Sequence, residues 1–214
     1  MFFDFHHHHK NYNYLGIYNE MISGDFINRY FSIGLHPEDI DNNWENKLAK
    51  IHLIAKNANC LAIGECGLDY RISIDKEIQI KVLKKQIQIA ENFKKPLILH
   101  CVKSFNEIVS LCRYSKIPKI IHGFNKRETI AEMLTDNGFY LSFGSSLMNN
   151  LSLQEVFKKM PKELFFLETD NSNIDIEEIY NKASELRNIS MNELQNIIHN
   201  NLNNLFGWKI KIIG

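Results

Sequence analysis

Pro96-Leu97-Ile98-Leu99-His100 is the stretch that decides the fold: a short apolar run, opened by a proline and closed by a histidine. A run so short and so continuously apolar reads as a strand buried on both faces, because a helix would space its apolar residues three or four apart. Immediately before it, Ile78, Val82, Leu83, Ile87, Ala90 and Phe93 have that helical spacing. Immediately after it, residues 119–122 form another apolar run that also ends in histidine. Further outward, similar runs occupy residues 2–6, 15–21, 30–35, 60–64, 139–143 and 164–167, and Trp44, Leu48, Ile51 and Ala55 mark a second helical face. Ser104 with Glu107, Ser152 with Glu155 and Ser190 with Glu193 have capping-box spacing and predict helix starts.

Eight strand-like runs separated by helices predict an α/β fold with a parallel sheet, closed as a TIM-type (β/α) barrel. Such barrels usually take about 250 residues, and this chain has 214. The shortage lies before Gly34, where the gaps between the first three runs are too short for crossover helices. The expected barrel is therefore distorted, with its first one or two helices reduced to loops. No Pro/Gly/Ser-rich linker, charge block or repeat divides the chain, so residues 1–214 are expected to form a single domain.

The 25 basic and 25 acidic residues cancel to a formal charge of +0, so no broad basic face is advertised for gripping nucleic-acid duplexes, and any contact with nucleic acid is expected to be local. Cys60, Cys66, Cys101 and Cys112 have neither metal-finger spacing nor disulfide-scaffold density, and fit a reducing, cytoplasmic setting. No stretch reaches the roughly 18 apolar residues of a membrane span, and no partner membrane is expected. His6 to His9 follow a strand-like run directly, so they are read as native sequence and not as a purification tag.

The chemistry lies at the ends of the runs. His6 and His8 end the first, Glu65 follows the fourth, His100 and His122 close the fifth and sixth, and Asp170 follows the eighth. In a barrel those C-terminal ends surround one mouth. Alternate strand residues face one way, so His6 with His8, or His7 with His9, can chelate one ion; spacing alone leaves that register open. His36, Arg71, Lys103 and Lys126 or Arg127 also follow strands and are candidates for holding a phosphate. His52 and His199 sit in helical patterns and are excluded, and Cys66 and Cys101 alternate away from their neighbours and read as packing.

Taken in order, Asp4-Phe5-His6-His7-His8, Gly34-Leu35-His36-Pro37, Ile63-Gly64-Glu65-Cys66-Gly67-Leu68-Asp69-Tyr70, Leu99-His100-Cys101, His122-Gly123-Phe124 and Leu167-Glu168-Thr169-Asp170 resemble the successive motifs of the TatD family of metal-dependent deoxyribonucleases, within the amidohydrolase-like superfamily. The resemblance runs to Asn204-Leu205-Phe206-Gly207 and makes the chain look like a short variant. It implies that His6, His8, Glu65 and Asp170 hold one metal, and that Glu65 bridges to a second held by His100 and His122; this settles the register as His6 with His8. The implied cofactors are two divalent ions, with Zn, Mn or Mg compatible with the ligand types. The implied activity is phosphodiester hydrolysis by metal-activated water, as a 3′-exonuclease on DNA ends or on a small phosphodiester, by a monomer. Glu65 and Asp170 are the expected catalytic residues, Asp170 accepting the proton of the attacking water. His36, Arg71 and Lys103 are the expected substrate contacts. The sequence departs from the family at Val102, where relatives often carry a basic residue, and at Asn171-Ser172-Asn173, where they usually continue Ala or Cys, Pro, Tyr; both departures bear on substrate range. An amide or ester hydrolase using the same ligands, and a degenerate barrel acting as scaffold, are the competing readings.

Overall fold

The computed structural model describes residues 1–10, 12–24 and 29–207. Among these the chain runs β1 (Phe3–His7), β2 (Leu15–Glu20), β3 (Phe31–Ile33), α1 (Trp44–Ile54), β4 (Cys60–Asp69), α2 (Lys76–Phe93), β5 (Leu97–Val102), α3 (Phe105–Cys112), β6 (Lys119–Ile121), α4 (Glu128–Asp136), β7 (Phe139–Phe143), α5 (Leu151–Lys159), β8 (Phe165–Leu167), α6 (Ile176–Arg187) and α7 (Met191–Phe206). No helix occurs among the described residues between β1 and β2 or between β2 and β3, as the short gaps predict. No helix among the described residues is long and apolar enough to cross a membrane.

The chain divides into two compact units. In the unit of residues 17–122, β2 to β6 pair in chain order, every pair parallel. Every residue of β4 is buried, the mark of a strand covered on both faces. The sequence reading ended this strand at Gly64; it continues to Asp69, with a register break between Ile63 and Cys66 against β5. Glu65, read as following the strand, therefore lies within it, and so do Gly64 and Gly67, although glycine in general weakens strands. Here they serve close approach: at Gly67 (φ 150°) a Cβ would collide with the His100 carbonyl on β5. The break re-aims the intervening Glu65 side chain.

Two buried glutamines on α2 tie this unit's strand ends to its helical cover. Gln86 accepts from Leu35 N (2.7 Å) and donates to Leu35 O (3.1 Å), while Gln79 accepts from Asp69 N (2.9 Å) and donates to Asp69 O (3.0 Å). Both satisfy backbone groups just past or at the ends of β3 and β4, where the ladder runs out. The helix itself starts at Asp75, whose carboxylate accepts from Glu77 N and Ile78 N.

In the unit of residues 1–16 and 123–214, β7 pairs with β8 in parallel, and His7 bridges to Asp170. Tyr180 on α6 donates through its hydroxyl to Phe3 O (3.0 Å) and accepts from Phe3 N (3.2 Å), and Phe5 stacks on Phe166 at 4.2 Å between centroids. Of the three predicted helix starts, Ser190 and Ser104 stand at the N-caps of α7 and α3, and of these two only Ser190 makes the capping bond, accepting from Glu193 N at 3.2 Å. Ser152 lies inside α5, which begins at the Asn150 cap. Ser104, in the other unit, turns its hydroxyl to Leu68 O at 3.0 Å, because a buried strand carbonyl competes for it.

All four cysteines are free and buried. Burial pushes the Cys60 thiol up to about 11 and that of Cys112 up to about 12, and raises Cys66 well above its usual value. An unfolded thiol ionises near about 8.5, so the folded chain holds more protons above that pH. Folding stability should therefore be complete below about pH 8.5 and decline as pH rises towards the folded values. Urea denaturation from pH 7 to 10 checks this, and Cys60→Ser, Cys66→Ser and Cys112→Ser variants should each flatten the decline.

Candidate metal centre

Within the unit of residues 17–122, one carboxylate oxygen collects three imidazoles. Glu65 Oε1 lies 2.8 Å from His122 Nε2, 3.0 Å from His100 Nδ1 and 3.3 Å from His36 Nε2. Each ring comes from a different position in the parallel sheet: His36 just beyond β3, His100 within β5 and His122 just beyond β6. Glu65 is only 8% exposed, and its own amide donates to Asn19 Oδ1 at 2.9 Å. Burial alone would raise its pKa; the charge of His122 and the hydrogen bonds from His100, His122 and His36 outweigh burial and hold the carboxyl well below its usual range. The ligand-capable atoms of His36, Glu65 and His100 all lie within 4.8 Å of one another.

His36 also opens the 3-10 turn Pro37–Asp39, its Nδ1 accepting from Glu38 N at 3.2 Å. A neutral His36 therefore carries its proton on Nε2 and donates it to Glu65. A cavity of about 350 Å³ opens beside His36 and Glu65, with Asn19, Met21, Lys47 and Lys50 in its lining.

Behind His100 stands Asp69, its Oδ2 3.3 Å from His100 Nε2. Arg71 grips the same carboxylate through its backbone N (2.8 Å to Oδ1), Nε (3.4 Å to Oδ1) and Nη2 (3.3 Å to Oδ2). Burial would raise the Asp69 carboxyl, but the Arg71 and His100 contacts lower it. Of the expected substrate contacts, His36 thus lies against Glu65 and Arg71 on Asp69. Lys103 is exposed just beyond β5, in the left-handed region at φ 53°.

Within the unit of residues 1–16 and 123–214, His6 Nε2 and His8 Nε2 lie 3.8 and 3.4 Å from Asp170 Oδ1. Strand alternation turns His7 away, onto the Tyr12 ring at 4.4 Å. Asp170 sits at φ 53°, its amide donating to His6 O (2.9 Å) and its carbonyl accepting from His8 N (3.2 Å). Asp4 braces this corner: it accepts from Thr169 N (2.9 Å), Thr169 Oγ1 (2.6 Å) and Tyr12 Oη (2.6 Å). Burial pushes its carboxyl up to about 7 against those bonds.

Four supporting residues escaped the sequence reading: Asp69, Asn19, Asp4 and Gln79. Asp69 and Asp4 stand inside the motifs already singled out, so their position was visible while their partners were not. Gln79, like Gln86 an amide among the apolar positions of α2, was a local signal of a buried polar contact.

A family profile described as TatD related DNase matches residues 18–207. The uncharacterized metal-dependent hydrolase YabD of Bacillus subtilis is 29% identical over 201 residues, covering 85% of this chain and 78% of that protein. The crystal structure of YJJV, a TatD homologue from Escherichia coli K12, superposes with a TM-score of 0.78 at 20% identity, covering 96% of this chain and 97% of that one. A TatD family hydrolase from Entamoeba histolytica gives 0.77 at 19% identity, with the same coverage. These likenesses show the fold, the parallel (β/α) barrel expected from the sequence.

The Asp4 brace gives a test independent of any ligand. Thr169→Val keeps the shape of a 1% exposed side chain and removes a donor to a buried carboxylate. It should cost about 1–3 kcal/mol, measured by urea denaturation in the presence of chelator.

Proposed function

The chain belongs to the TatD related DNase family, and we propose that it is a metal-dependent phosphodiesterase that removes nucleotides from the 3′ end of DNA. The observation that carries this reading is the single Glu65 oxygen with three imidazole nitrogens within 3.3 Å. A buried carboxylate surrounded by nitrogen donors fits a divalent ion such as Zn, Mn or Mg. In this reading His6, His8, Glu65 and Asp170 hold one ion, and Glu65, His100 and His122 a second. When bound, such ions supply charge neutralisation for the phosphate and acidify a water.

The chain's own residues supply the remainder. Asp170 takes the proton of the attacking water at its carboxylate, the role its chemistry and position in the motif fit. His36, through Nε2–H, and Arg71 and Lys103, through their charge, orient the phosphate. The cavity beside His36 is of a size to take one nucleotide, with Lys50 at its rim for an adjoining phosphate. The net charge of +0 favours a strand terminus, because long duplex contacts need many cations. Four buried free thiols suit a reducing cytoplasm, and a monomer would suffice for this chemistry.

The test is trimming of short single-stranded DNA after chelation and addition of Mg, Mn or Zn. Wild type should shorten the strand from its 3′ end only with metal. Loss of mere outer partners of a metal ligand costs about 10–100-fold, so Glu65→Ala should lose at least about 100-fold. In the same samples, metal at 100 times its Kd should stabilise wild type by about 2.7 kcal/mol and Glu65→Ala far less. Metal binding without cleavage of any oligonucleotide would move the assignment to an amide or ester hydrolase, or to a scaffold.

A further inference from the structure

Resting on the metal-dependent reading above, we propose that Asp69 is a positioning residue that fixes the tautomer of His100, keeping the ring proton on Nε2 and turning the Nδ1 lone pair towards the metal. The two ring nitrogens of His100 face two different carboxylates: Nδ1 lies 3.0 Å from Glu65 Oε1 and Nε2 lies 3.3 Å from Asp69 Oδ2. A neutral imidazole has one N–H and one lone pair, so only one of these contacts can be its hydrogen bond.

The surroundings choose which. Glu65 Oε1 already faces His36 Nε2, which carries that ring's proton, and His122 Nε2. In the metal reading that oxygen is shared with a cation, and a cation there needs the Nδ1 lone pair of His100 as it needs the Nε2 lone pair of His122. Asp69, in contrast, is built to accept. Its backbone N–H and C=O are held by Gln79, its carboxylate is clamped by Arg71, and only 2% of the residue is exposed. An outer carboxylate taking the second N–H of a ligating histidine fixes the ring and raises its basicity.

The isosteric Asp69→Asn change separates this role from simple packing. Arg71 N (2.8 Å) and Nε (3.4 Å) both donate to Oδ1, against the single contact of Nη2 (3.3 Å) with Oδ2, so the amide oxygen stays on the Oδ1 side. Its NH2 then replaces Oδ2 and donates to His100 Nε2. That drives the ring proton onto Nδ1, the atom assigned to the metal. A purely structural role would make Asn the milder substitution, whereas a tautomer role makes it at least as damaging as Ala.

The experiment uses the full chain and zinc alone. Long-range ¹H–¹⁵N spectra of the zinc-loaded wild type, with His100 assigned by His100→Gln, should show the His100 proton on Nε2. Competition with a chromophoric chelator should show zinc affinity about 10–100-fold weaker in Asp69→Asn and Asp69→Ala, with Asn no better than Ala. Arg71→Ala, which loosens the clamp from a side chain 59% exposed, should shift affinity the same way by less. A wild-type proton on Nδ1 would overturn the proposal, as would Asp69→Asn binding zinc within twofold of wild type. If the Asp69 variants do not fold, Arg71→Ala decides: zinc affinity equal to wild type would overturn the proposal, and a weaker affinity with the wild-type proton on Nε2 would support it. Failure of the wild type to bind zinc, manganese or magnesium would instead remove the metal reading on which the proposal rests.

Discussion

A carboxylate taken out of water in the middle of a strand is the constraint that the unit of residues 17–122 answers. Burying Glu65 ionised would cost several kcal/mol if it were left alone, and three imidazoles converge on one of its oxygens to offset that cost. The demand reaches the backbone. The register break beside Gly64 aims the side chain, Gly67 lets the His100 carbonyl close on β4, and Asn19 takes the Glu65 amide. Neither glycine could bear a side chain there without moving β5.

The cluster of His6, His8 and Asp170 is held by different means. Two histidines two residues apart on β1 share a face by strand geometry alone. Asp170 must reach them from a left-handed backbone, a conformation that costs of order 1 kcal/mol or more for a residue with a Cβ. It persists because its amide and carbonyl are both bonded to β1 and because Asp4 fixes the neighbouring Thr169 from two sides. Strain maintained by four hydrogen bonds around an acidic side chain is the sort that function explains better than packing does.

The strands and the residues at their ends were legible because both depend on local pattern: an apolar run fixes a strand, and the side chain at its end is the next residue to be read. His100 and His122 are the clearest cases. Gly64 misled for an equally local reason, since a glycine that ends a strand and a glycine that admits a neighbouring carbonyl look alike in sequence. Ser104 has capping spacing but finds a better acceptor in Leu68 O, a contact 36 residues away. Asp69 was in plain view within its motif, yet its partners His100 and Arg71 are set by tertiary pairing, so the role could not be read from spacing.

The missing helices sharpen the point about what positions a site. β1 and β3 lie in the part of the chain where no crossover helix occurs among the described residues before β3, yet His6 and His8 stand at the end of one and His36 just past the other. Each is anchored from within its own unit. Tyr180 of α6 takes both the N–H and the C=O of Phe3, and Gln86 of α2 takes both the N–H and the C=O of Leu35. In each case one bidentate side chain satisfies two buried backbone groups that would otherwise cost about 1–3 kcal/mol apiece. Tyr180 thus ties down the start of β1, and Gln86 the segment just past β3 that leads to His36, where the described residues before β3 supply no crossover helix to do so.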